Sequence, residues 1–111
     1  MEKKIKITFV LPEALQRELK TSVVQNGYSL KDKSKWVAEA IENLFLMSNF
    51  ASLVKLNEEM SGFEKPESIV VGKTLKAKIH EAIITVRKAY PDLEGVQSRI
   101  LRTAIVQRLL G

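Results

Sequence analysis

Lys6 and Thr8 stand two residues apart in an alternating stretch, Lys4-Ile5-Lys6-Ile7-Thr8-Phe9-Val10-Leu11. In an extended strand that spacing puts an ammonium and a hydroxyl side by side on one face, with Lys4 and Val10 flanking them. Such a row can read the edges of bases: lysine donates to guanine O6 and N7, threonine donates or accepts, and valine touches a thymine methyl. The same lysines would also suit an ordinary solvated edge strand, where charge discourages aggregation. Two further groups repeat a pattern, Ser34-Lys35 and Ser98-Arg99. Each places a hydroxyl at an expected helix start followed by a cation, which is the chemistry of a phosphate contact as well as of a simple helix cap. Other chemistries lack their parts. There are no cysteines, His80 is the only histidine, and the five glycines are isolated. Thiolate or histidine metal sites, an activated nucleophile and a glycine-rich phosphate loop are therefore not expected, nor is any cofactor or enzymatic activity.

The elements that would position these groups occur twice. Residues 4–46 overlay residues 68–110 without a gap when 64 is added to each number. Ile5 meets Ile69, Leu11 meets Leu75, Leu15 meets Ile79, Leu19 meets Ile83 and Ala40-Ile41 meets Ala104-Ile105. Only seven of the 43 pairs are identical, but apolar residues fall on apolar residues where a strand and then two helices would need them.

In the first copy the alternating strand turns Ile5, Ile7, Phe9 and Leu11 to one face. Pro12 ends it and suits a first helical turn; Leu15, Leu19 and Val23 follow at helical spacing, and Asn26-Gly27 closes the helix. Ser34 is the expected N-cap of a second helix carrying Trp36, Val37, Ala40, Ile41, Leu44 and Phe45. In the second copy Ile69, Val71 and Leu75 are the expected apolar strand face, with Val70 and Thr74 facing outward. Ile79, Ile83, Val86 and Tyr90 make a helical stripe; Ser98 precedes a helix with Leu101, Ala104, Ile105 and Leu109. Lys73 fits badly, falling where the first copy has Phe9. Residues 47–66 read as a partly helical connector, with turn chemistry at Ser61-Gly62 and Lys65-Pro66. The expected organisation is thus a unit over 1–46, the connector, and a second unit over 67–111, together forming one compact domain.

A unit of this size with one short strand buries too little apolar surface to stand alone, and a second copy supplies a partner. The 111 residues are 45% hydrophobic and carry a net charge of +5. Residues 1–45 hold eight Lys/Arg against six Asp/Glu and residues 67–111 eight against four, while 46–66 hold two against three. A basic balance in both copies suits a polyanion. The opening Met-Glu-Lys-Lys leads into alternation rather than a continuous apolar run, so neither a signal peptide nor a membrane span is expected, and the cytoplasm is the expected location.

Strand, helix, helix, with Leu-Pro at the strand end, Asn-Gly after the first helix and Ser-x-x-x-x-x-Ala-Ile in the second, resembles the ribbon-helix-helix family of DNA-binding proteins typified by Arc and MetJ. The tandem arrangement is similar to TraY-type conjugative-transfer accessory proteins. The resemblance implies a mainly α fold with a small two-stranded antiparallel ribbon above a four-helix body, two ribbon-helix-helix units in one chain forming an intramolecular pseudodimer. It implies sequence-specific binding of double-stranded DNA by a ribbon in the major groove, base reading by Lys4, Lys6, Thr8, Val10, Val70 and Thr74, and phosphate binding by Ser34, Lys35, Ser98 and Arg99. The implied role is an accessory factor in plasmid transfer or a transcriptional repressor: a monomer in solution, cooperative on DNA, contacting other relaxosome or regulatory proteins and no membrane. The alternative is a helical protein-interaction or antitoxin-like module without DNA binding.

Overall fold

A computed structural model of the chain describes residues 3–56 and 64–111. Strand β1 (Lys4–Pro12) leads directly into helix α1 (Glu13–Gln25); a short 3-10 turn at Leu30–Asp32 precedes α2 (Lys33–Phe45), and α3 (Phe50–Leu56) follows. The second half repeats this plan with β2 (Glu64–Gly72), α4 (Lys73–Ala89) and α5 (Val96–Leu110). The connector's residues 57–63, with the expected turn at Ser61-Gly62, lie outside the described residues.

The two strands form one antiparallel sheet, with Lys4 opposite Gly72, Thr8 opposite Ser68 and Pro12 opposite Glu64. This corrects the expected fold class. Two tandem ribbon-helix-helix units would need two ribbons, and the described residues hold a single strand pair, beside five α-helices rather than a four-helix body. Neither half holds a ribbon of its own; each gives one strand to a shared one.

The second strand also begins and ends earlier than the repeat suggested. Both strands are nine residues long and run straight into a helix, so β1-α1 and β2-α4 correspond at an offset of 60. Leu15 and Leu75, and Leu19 and Ile79, are then equivalent and all buried. In the last helices the offset is 64: Trp36 and Ile100, Val37 and Leu101, Ala40 and Ala104, Ile41 and Ile105 are each at most 2% exposed. The four-residue difference is one extra turn of helix, α4 having 17 residues where α1 has 13. Inserting about one turn keeps the same helix face inward, so the ungapped overlay survives in the helices and misplaces the strand. Leu75 is therefore a helical core residue, Lys73 begins α4 instead of occupying a buried strand position, and Lys65 and Pro66 belong to β2.

The ribbon's inner face, with Ile7, Phe9, Leu11, Ile69 and Val71, closes over a continuous core of buried side chains from all five helices. Asn26 and Gly27 end α1 as the Asn-Gly pair suggested: Gly27 adopts φ +85°, where a side chain would be strained, and its N–H donates to the Val24 carbonyl at 3.0 Å. The second half has a turn at Pro91-Asp92 and then Gly95 at φ +61°, immediately before α5. No single helix among the described residues is long and apolar enough to cross a membrane, and a 114° bend separates α2 from α3.

Each strand edge is met by α2 or α5 of the opposite half. The Val70 N–H donates to Ser34 Oγ of α2 at 2.9 Å, and the Val10 N–H donates to Ser98 Oγ of α5 at 3.3 Å. Gln97 Nε2 adds a bond to the Thr8 carbonyl at 2.9 Å. Residues 1–56 expressed alone should accordingly lack cooperative unfolding and most helical ellipticity, and adding a 64–111 peptide should restore both. A fragment 1–56 that melts cooperatively by itself would contradict this interdependence.

Candidate nucleic-acid interface

The ribbon's outer face carries Lys4, Lys6, Thr8 and Val10 from β1, opposite Gly72, Val70, Ser68 and Pro66 from β2. Alternation produces this face without further help: Ile5, Ile7, Phe9 and Leu11 point into the core, and the residues between them point away. Lys4, Lys6 and Thr8 are exposed, Val10 and Ser68 half-buried, and Val70 is 42% exposed despite being apolar. Pro66 fits because its position needs no donor toward the partner strand: the equivalent of its missing N–H would face the outer edge, as the Val10 N–H opposite it does.

Five of the six expected base-reading residues, Lys4, Lys6, Thr8, Val10 and Val70, share this surface. Thr74 does not, because the extra turn of α4 brings the helix start forward and puts it in that helix's first turn. Its place on the face is taken by Ser68, which lies directly across from Thr8 and is its equivalent in the second half. Two facing hydroxyls thus mark the point about which the halves are related. Ser68 alternates with Ile69 and Val71 in the sequence, a signal that was present but obscured by the 64-residue overlay.

Ser34 and Ser98 flank the ribbon on opposite edges, yet neither caps a helix. Ser34 is the second residue of α2, after Asp32 at the N-cap, and Ser98 the third of α5, after Gly95. Their oxygens accept the outward-facing strand amides described above. A hydroxyl that accepts keeps its own proton for another acceptor, so these bonds leave each serine a donor toward the outer surface. Lys35 is exposed with its ammonium 5.8 Å from the Tyr28 ring centre, and Arg99 donates from Nε to the Glu94 carbonyl at 3.0 Å. Trp36 is buried and donates from Nε1 to Asn26 Oδ1 at 2.9 Å, which makes it a core residue. Exposed His80 has no metal-binding company: no group of three or more potential histidine, cysteine or carboxylate ligands occurs among the described residues.

Sequence reasoning missed the carboxylate under the ribbon. Glu67 faces inward opposite Phe9, where the first half has Ile7, and is bonded by Lys33 Nζ and by Gln16 Nε2, the latter at 3.0 Å. Burial pushes its carboxyl up, but Lys33, Gln16 and the Ser68 N–H outweigh it and hold the group below its ordinary value. At the far end of α2, the Tyr28 hydroxyl donates to Glu39 and is the main cause holding that carboxyl down; partial burial opposes it and Arg108 assists. Arg108 lies over the Trp36 ring at 4.5 Å and donates to the Trp36 carbonyl at 2.7 Å, tying α5 to α2.

Neither a protein-family model, nor a curated protein, nor a solved structure matches this chain.

Both carboxyls have depressed values when folded, so the stability they contribute is complete above the ordinary value of 4.5 and is lost as pH falls through the lower folded value. The urea midpoint should therefore drop on acidification below about that point, and Glu67→Gln should flatten the drop while lowering the midpoint at neutral pH. An unchanged acid dependence in the Gln variant would show that Glu67 carries none of it.

Proposed function

We propose that this protein binds double-stranded DNA, laying the outer face of the β1-β2 ribbon into the major groove and reading sequence with Lys6, Thr8, Ser68 and Val70. The observation that carries the reading is the composition of that face: hydrogen-bonding and methyl-bearing side chains stand in one row, on a ribbon whose two edges are each bonded by a helix, α2 at Val70 and α5 at Val10. Ser34 and Ser98 each bond one edge amide of the ribbon, which hinders strand addition there and weakens the alternative account of Lys4 and Lys6. A two-stranded ribbon matches the width of the major groove, and each of these residue types has a base-edge partner there.

Lys35 and Arg99 sit beside Ser34 and Ser98 at the two borders of the face, where they would meet the phosphate backbones and set position rather than sequence. A net charge of +5 favours the encounter. The resemblance to ribbon-helix-helix DNA-binding proteins supports the same chemistry, and through it a cytoplasmic accessory role in conjugative DNA transfer or in repression. A second reading, a protein-interaction module, draws on exposed Leu46, 84% accessible, which lines a groove with Phe45, Phe50 and Ala82.

Selection of bound sequences from a randomised duplex pool should return a preferred site. Lys6→Ala, Thr8→Ala and Ser68→Ala should each relax preference at separate positions within it, by about 1–3 kcal/mol of discrimination for a good contact. Retention of full specificity in all three variants would remove the ribbon as the reading element.

A further inference from the structure

The two ends of the ribbon are unequal in charge. At one end Lys4 pairs with Gly72, Lys73 follows immediately at the start of α4, and Lys31 and Lys35 line the same cleft as Lys4, together with Asp32. All four lysines are exposed, and the Asp32 carboxylate accepts from the Ser29 hydroxyl at 3.0 Å. At the other end the equivalent positions read differently. Glu64 stands for Lys4, Glu13 for Lys73, Gly95 for Lys31, and only Arg99 for Lys35 preserves a cation. Glu64 is partnered by Arg102 at 3.2 Å, Arg99 is half-buried, and Lys65 is exposed. On the outer face the imbalance continues, since Lys6 corresponds to Pro66.

We infer that the duplex is held electrostatically from one end: Lys4, Lys31, Lys35 and Lys73 grip the phosphates of one half-site, while the Glu13-Glu64 end makes few phosphate contacts and depends on fit. This rests on the DNA-binding reading and adds a polarity to it. Equivalent positions in a twofold arrangement face equivalent phosphates, so reversing charge at two of them subtracts attraction from one half-site alone. Because phosphate contacts release counterions, the imbalance is measurable without knowing the preferred sequence.

The test is the salt dependence of binding to a labelled random-sequence duplex, followed by fluorescence anisotropy. The triple variant Lys4→Ala, Lys31→Ala, Lys35→Ala should make the log–log slope shallower by about 0.9 for each phosphate no longer neutralised, close to three units in all. The double variant Lys65→Ala, Arg99→Ala should change it by less than about one unit on the same basis. Conversely, Glu13→Lys with Glu64→Lys should steepen the slope, an increase that damage to the fold would not produce. Equal reductions from the triple and double variants, or no steepening from the lysine pair, would overturn the polarity while leaving DNA binding intact. A wild-type protein that binds no duplex would overturn both.

Discussion

Everything in this structure depends on the pairing of β1 with β2. A two-stranded ribbon is marginal in water: it has one apolar face to bury and two edges of unpaired amides and carbonyls. Here the face is buried by helices from both halves, and each edge is met by a side chain from the second helix after the other strand. Ser34 reaches β2 and Ser98 reaches β1, so the halves exchange their edge protection. Removing either half would expose an apolar face and leave edge groups unmet. That reciprocity explains why a chain of two short, weakly similar segments forms one core.

The consequence for the outer face is that it is left free of structural duties. Its side chains neither fill the core nor complete the sheet, and each edge of the ribbon is bonded by a helix at Val10 or Val70. Where Glu67 enters the ribbon from below, an inward carboxylate replaces the Ile7 position and is compensated by Lys33 and Gln16, so its charge is neutralised inside. Lys33 is thereby withdrawn from the basic set around α2, whereas Lys31 and Lys35 remain exposed. The division between cations that hold the fold and cations that face solvent follows from these partners and could not be drawn from the count of lysines.

Much of the first half was legible in its residues. Period-two alternation located β1 and its outward face, helical spacing located α1 and α2, and Asn26-Gly27 marked the end of α1. In the second half the same logic was misled by one helical turn. A four-residue insertion in a helix leaves its buried stripe nearly in place, so the overlay looked continuous while the strand slid by four residues; Thr74 and Leu75 were assigned to the strand, and Ser68 was overlooked. The expected pair of ribbon-helix-helix units gave way to one shared ribbon over five helices for a related reason: local periodicity identifies strands and helices but does not say which strand completes which sheet. The serines were recognised as recurrent and misread in role, since a sequence cannot distinguish a hydroxyl capping its own helix from one that accepts a distant strand's amide.

The claim that the outer face of the ribbon is the surface presented to DNA is tested most directly by titrating the isotope-labelled protein with a short duplex and following backbone amide shifts. The account predicts the largest changes at Lys6, Thr8, Ser68 and Val70, with smaller ones at Ser34, Lys35, Ser98 and Arg99. Changes confined to the apolar groove between α2, α3 and α4, with the ribbon amides unmoved, would contradict it.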